Sequence, residues 1–193
     1  MSNPPPHLKE TVARIREASV TDPPAPWERR GSYAVGGLEA VGFARGTDLL
    51  LVVSSRGRSV IDCTNGLLVS RDSSMPGVDE PDWYDCFNLE AQGIGPTTGV
   101  AIPICGLHGG GLPLLTTDGW VAERLGIDWP DECLLLVPPG SWIYGLAYSK
   151  AALFTKVAVE REIRAWGFSG TGLSLVLATS SDLTIFSRAR APN

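Results

Sequence analysis

The sequence predicts a mainly β protein built from antiparallel meanders, with a short helix near its N-terminus. Two observations lead to this fold class: short runs rich in leucine and β-branched residues, and the glycine-containing turns between them. The run Leu-Leu-Leu-Val-Val-Ser at residues 49–54 is typical of a buried strand. Strands are also predicted at residues 59–63 and 67–70, joined by Asn65-Gly66, a dipeptide typical of a type I′ hairpin turn. Together the three segments predict an antiparallel meander.

Helical periodicity is confined to short stretches. Leu8, Val12 and Ile15 recur at helical spacing with charged residues between them, which predicts an amphipathic helix over residues 7–20. We expect this helix to dock through its narrow apolar stripe. A second, shorter helical turn is predicted at residues 160–165.

Domain organisation follows from the proline content and the overall composition. Residues 1–30 are predicted to form the N-terminal helix and a proline-rich linker, and residues 31–193 a single mainly β domain. The chain has 193 residues, of which 44% are hydrophobic and 19% charged, a composition that suits a buried core. The net charge of −5 argues against general nucleic-acid binding. Because the sequence shows neither a membrane-spanning apolar run nor an export signal, we expect a cytoplasmic protein with no membrane partner.

Four cysteines, Cys63, Cys86, Cys105 and Cys133, are spaced too irregularly for a zinc ribbon. We expect reduced thiols and no cofactor or metal. The alternative is half of a metal site formed by Cys105 and His108, which stand in a Cys-x-x-His arrangement.

Two distant segments resemble each other. Residues 42–55 read Gly-Phe-Ala-Arg-Gly-Thr-Asp-Leu-Leu-Leu-Val-Val-Ser-Ser, and residues 167–181 read Gly-Phe-Ser-Gly-Thr-Gly-Leu-Ser-Leu-Val-Leu-Ala-Thr-Ser-Ser. Each continues into a second apolar strand. This arrangement resembles the first two strands of a WD40-type or related β-propeller blade. The resemblance implies propeller-blade-like units and a scaffold or binding role. Separately, residues 106–114 and 117–120 resemble an uncharacterised bacterial family. This second resemblance does not point to any particular activity.

The most unusual local motif is His-Gly-Gly-Gly at residues 108–111. Consecutive glycines allow backbone N–H groups to turn toward an anion. The motif resembles the oxyanion loop of α/β-hydrolase esterases, although no Gly-x-Ser-x-Gly elbow accompanies it. One interpretation is a structural glycine bulge, and the alternative is a small hydrolase-like or transferase-like enzyme. Its candidate residues are Cys105 as nucleophile, His108 as general base, Asp118 to orient the imidazole, and Gly109, Gly110 and Gly111 as the anion-binding loop.

An acidic segment with interspersed aromatic residues spans residues 72–90 and contains six acids and no base. It is either a solvated loop whose aromatic residues pack on the core, or a contact surface for a basic protein. The contact residues of the second interpretation are Asp79, Glu80, Asp82, Trp83, Tyr84 and Asp85. The leading functional prediction is therefore a non-catalytic protein-binding module: an adaptor, an immunity-type inhibitor or a regulatory protein. The oligomeric state is left open.

Overall fold

The computed structural model describes residues 8–74, 84–144 and 152–189. Antiparallel strands dominate, and one α-helix lies near the N-terminus, which confirms the predicted fold class. The elements, in chain order, are α1 (Lys9–Glu17), β1 (Trp27–Ala34), β2 (Leu38–Phe43), β3 (Leu49–Ser54), β4 (Gly57–Asp62), β5 (Leu67–Asp72), β6 (Tyr84–Asp85), β7 (Glu90–Gln92), a 3-10 helix (Gly95–Thr97), β8 (Ala101–Pro103), β9 (Cys105–Gly106), β10 (Val121–Asp128), β11 (Asp131–Val137), β12 (Thr155–Glu160), β13 (Ile163–Phe168), β14 (Ser174–Thr179) and β15 (Asp182–Arg188).

The chain forms two compact units. Unit 1 comprises residues 1–24 and 115–161, and unit 2 comprises residues 25–114 and 162–193. Unit 1 contains α1 and a sheet of order β10-β11-β12. Unit 2 contains three sheets, of order β1-β15-β14-β13, β5-β4-β3-β2-β9 and β6-β7-β8.

The predicted N-terminal helix is confirmed as α1, which packs within unit 1. Ile15, from the predicted apolar stripe, is buried in a cluster with Leu135 and Val137 of β11. At the polar edge of the helix, Arg16 forms an ion pair with Asp128 at 2.8 Å. None of the helices within the described ranges combines the length and the apolar character that a membrane-spanning helix needs.

The predicted meander is confirmed as β3, β4 and β5 at the centre of unit 2. β3 is covered on both faces of its sheet, and its successive side chains point to opposite sides. Leu50 and Val52 enter one core, shared with the sheet of β13, β14 and β15. Leu51 and Val53 enter a second core, shared with the sheet of β6, β7 and β8. Burial on both faces is the physical reason for the uninterrupted apolar run of β3.

The turn between β4 and β5 differs from the predicted type I′ turn. That turn needs positive φ at both central residues, whereas here Gly66 has a φ of 72° and Asn65 is not in the left-handed region. The Asp62 carboxylate instead accepts hydrogen bonds from the Thr64 backbone N–H at 2.9 Å and from Asn65 Nδ2 at 3.0 Å. A longer turn held by Asp62 therefore replaces the two-residue turn.

The two similar segments form equivalent hairpins, one from β2 and β3 and the other from β13 and β14. Phe43 faces Leu50 in the first hairpin, and Phe168 faces Leu175 in the second. The register shifts at corresponding points, at Leu38/Ala40 and Ile163/Ala165. The core between the two sheets contains Leu50 of the first repeat. From the second repeat it contains Val176, which lies on the other side of its strand from the residue equivalent to Leu50. The two repeats therefore pack with one face of the first against the opposite face of the second.

Two strands lie where the sequence predicted other structure. β1 begins at Trp27, within the segment predicted as helix and linker, and pairs with β15. β13 begins at Ile163, within the predicted helical turn at residues 160–165, and pairs with β14. The helical-turn prediction is wrong because the local preference of this charged segment is overridden by pairing in the sheet.

Candidate functional site

The glycine-rich motif forms a tight turn after β9. The Gly106 N–H donates to the Gly109 carbonyl at 2.8 Å, and the Gly109 N–H donates back to the Gly106 carbonyl at 3.1 Å. Gly109 and Gly110 have φ values of 112° and 85°, a backbone conformation that side chains disfavour. The turn therefore explains why glycine occupies positions 109 and 110. The Gly109 N–H is used within the turn, whereas the anion-loop interpretation needs this group to face an anion.

Cys105, the candidate nucleophile, lies at the start of this turn and is buried. Its backbone is paired with Val41 in β2, and its Sγ donates to the Val41 carbonyl at 3.6 Å. Burial raises the pKa of the Cys105 thiol to about 12. Because the thiolate is the reactive form of cysteine, this environment does not favour nucleophilic catalysis at neutral pH.

His108 and Asp118 are the other two residues of the alternative enzyme site. His108 is exposed on the turn, and its ring centroid lies 5.9 Å from that of Tyr84. Asp118 belongs to unit 1, whereas Cys105 and His108 belong to unit 2. In the part of the chain that the structure describes, no group of three or more His, Cys, Asp or Glu side chains is arranged to hold a metal.

A small cavity of about 170 Å³ lies beside the glycine turn within unit 2. Its lining includes Cys105, Gly110, Arg164 and Trp166. The buried Arg164 Nε has no hydrogen-bond partner among the described residues. The cavity is large enough for only a small ligand.

Cysteine accessibility gives a direct test of this site. In the native protein we expect iodoacetamide to alkylate Cys86 first, because Cys63, Cys105 and Cys133 are buried whereas Cys86 is partly exposed. Burial also raises the pKa of all three buried thiols. Peptide mass spectrometry after timed labelling at pH 8 measures the order, with urea-unfolded protein as the control. Labelling of Cys105 as fast as that of Cys86 would contradict this expectation and support Cys105 as a nucleophile.

The predicted acidic contact surface is only partly within the described residues. Tyr84 and Asp85 form β6, and Tyr84 packs against the core between the central sheet and the sheet of β6, β7 and β8. The remaining predicted contacts lie outside the described residues: Asp79, Glu80, Asp82 and Trp83.

Asp85 has a structural role in the turn that follows β6. Its carboxylate accepts hydrogen bonds from the backbone N–H groups of Asn88 and Phe87, each at 2.9 Å. It also accepts one from Asn88 Nδ2 at 2.7 Å. The bonds from Asn88, followed by the bond from Phe87, lower the pKa of Asp85. The neighbouring Phe87 side chain is 94% exposed and presents an apolar surface beside this acid.

A larger groove, of about 620 Å³, lies on the central sheet of unit 2, and the sequence did not predict it. Val52, Ile61 and Leu68 supply apolar surface from three neighbouring strands. Ser54 and Ser59 add hydroxyl groups, and residues 33–37, from the end of β1 and the turn that leads to β2, line it as well. The groove thus combines an apolar floor with polar side chains, as ligand-binding sites commonly do.

Arginines supply the charge of this groove. Among the described residues that line it, Arg56, Arg58 and Arg71 are charged and none carries a carboxylate. Arg58 is neutralised by Asp72, whose carboxylate lies 2.7 Å from the guanidinium. Hydrogen bonds from Ser74 and then from Arg58 lower the pKa of Asp72 to about 2, so the pair stays ionised at neutral pH. Within the described residues, neither Arg56 nor Arg71 forms an ion pair.

β5 borders the groove and has exposed apolar side chains. Leu67, Leu68 and Val69 are 62%, 53% and 47% exposed. β5 stands at the end of its sheet, and among the described strands it pairs with β4 alone. An apolar strand at a sheet edge offers backbone hydrogen-bonding groups and hydrophobic area to another chain.

In comparisons with protein-family models, curated proteins and solved structures, no match to this chain was found. One signal for the β5 surface is present in the sequence: three consecutive apolar residues in a strand leave at least one of them on each face of the sheet.

Proposed function

We propose that this chain is a cytoplasmic protein-binding module that acts as an adaptor, an immunity-type inhibitor or a regulatory protein. The observation that carries the proposal is the exposed apolar edge strand β5. Proteins commonly shield sheet edges with charges, prolines or covering segments, because an open apolar edge associates with other strands. Three consecutive exposed apolar residues at such an edge favour a surface that a partner covers.

We further propose that the two equivalent hairpins belong to propeller-like blades. Their matching register, their corresponding irregularities and their face-to-opposite-face packing support this proposal. β1 completes the second sheet, and blades of four strands are characteristic of propellers. Blades commonly present edges and loops to partners, which agrees with a binding role.

A crosslinking experiment tests the protein-binding proposal. A photoreactive residue at position 68 is expected to capture a single protein from native lysate in stoichiometric amount. The captured protein, once purified, is expected to bind the unmodified chain. The double variant Leu67→Ser/Val69→Ser should weaken that binding by at least about tenfold, because it removes apolar area from the contact.

Leu107→Ser is the matched control, since Leu107 is 48% exposed and lies outside β5. It should leave the affinity of the purified pair unchanged. Equal affinity of the double variant and the wild type would contradict the proposal, and so would the absence of any protein that rebinds after purification. Thermal melting by circular dichroism confirms that each variant is folded.

A further inference from the structure

The groove beside β5 carries an excess of positive charge in a chain whose net charge is −5. Arg56 and Arg71 are exposed and line the groove, and neither is paired with a carboxylate in the described part of the chain. These two guanidinium groups lie beside hydroxyl groups, with no acid among the lining residues that the structure describes, and they complement an anionic ligand.

Leu68 and Arg71 of β5 both point toward the groove, because the register with β4 shifts between Val60 and Ile61 and brings these residues, three apart, to one side. Arg71 pairs across the sheet with Ser59, and Leu68 with Ile61, and all four residues line the groove. Asp72, the next residue after Arg71, is paired with Arg58 instead. A strand added beside β5 would therefore project every second side chain over the groove, toward Leu68 and Arg71.

Resting on the proposed function, we infer that the partner inserts an extended acidic segment as an additional strand along β5. Backbone hydrogen bonds to the β5 edge align the segment. Its carboxylates, at alternate positions, meet Arg71 and Arg56. Its intervening apolar side chains cover the opposite side of the β5 edge.

Charge complementarity favours an acidic segment over a second copy of β5. A second β5 would bring its own Arg71 to the same edge, while its Asp72 is engaged by Arg58. The added strand would therefore introduce positive rather than negative charge, and like charges across neighbouring strands are destabilising. A partner peptide with alternating carboxylates removes this conflict.

Three labelled peptides test the inference, each alternating valine with glutamate, glutamine or lysine. Fluorescence anisotropy at low and physiological salt measures their binding to the full chain. We expect the glutamate peptide to bind and the glutamine peptide to bind at least about tenfold more weakly. Arg71→Glu should reverse the order of preference, so that the lysine peptide binds more tightly than the glutamate peptide.

Arg45→Glu is the control for net charge, because Arg45 is exposed in the turn between β2 and β3, at the other end of β3 from the turn that carries Arg56. It should change the affinity for the glutamate peptide by less than about twofold. Equal binding of the glutamate and glutamine peptides, or no binding of either, would overturn the inference. A dimer that sedimentation detects in wild type and that is lost in Leu67→Ser/Val69→Ser would likewise overturn it. The proposed function would still be decided by the purified partner in the crosslinking experiment.

Discussion

Replacing Phe168 with alanine is expected to lower the free energy of unfolding by about 3–5 kcal/mol. Phe168 is fully buried at the end of β13, and its ring centroid lies 5.6 Å from that of Trp27. Its backbone N–H also donates to the Pro113 carbonyl at 2.7 Å. Truncation would leave a cavity that these neighbours, held by backbone pairing, cannot readily fill.

Chemical denaturation measures the loss, and hydrogen exchange of amides in β13, β14 and β15 localises it to unit 2. Phe43→Ala is the matched control, because Phe43 occupies the equivalent position in the first repeat but remains 9% exposed. We expect a smaller loss there. A change below about 1 kcal/mol for Phe168→Ala would show that the site can collapse and would contradict the packing described for β13.

Asp48→Ala is expected to destabilise the protein by about 2–4 kcal/mol, because one carboxylate connects the two repeats. Both Asp48 oxygens lie 2.9 Å from Thr171 Oγ1, and Ser174 Oγ donates to Oδ1 at 2.6 Å. Ser174 is fully buried. Removal of the acceptor therefore leaves a buried hydroxyl unsatisfied as well as breaking charge-assisted bonds.

Asp62→Ala controls for the loss of any turn carboxylate, since Asp62 accepts hydrogen bonds from Thr64 and Asn65 within its own turn. It should cost about 1 kcal/mol. In a double-mutant cycle, Ser174→Ala should cost less in the Asp48→Ala background than in wild type. Additive losses would indicate that the two side chains do not interact.

The fold class and the central meander could be predicted because local patterns determine them. The apolar run of β3 and the turn residues that flank it are sufficient for that purpose. β1 was missed because its partner, β15, is distant in the chain, and its residues include charges that mask the strand pattern. Strand pairing over such separations is not encoded in local periodicity.

The candidate site was harder to predict because similar sequences have different surroundings. The run Leu50, Leu51, Val52 is buried on both faces of the sheet, whereas Leu67, Leu68, Val69 are exposed. Only position in the sheet separates the two runs, since β3 lies between two strands and β5 lies at the edge. The groove also forms only in the folded chain, because folding brings residues 33–37 to the same surface as β3, β4 and β5.

The two repeats form a head-to-tail stack, because one face of the first contacts the opposite face of the second. A pair related by twofold symmetry buries the same surface on both members and closes on itself, whereas head-to-tail contacts always leave one surface of each kind at the ends. In unit 2, the end of the stack formed by Leu51 and Val53 is capped by the sheet of β6, β7 and β8. Loss of that cap would expose a surface shaped for another repeat. We therefore expect the short strands β6 to β8 to protect the chain against open-ended growth as well as to complete its core.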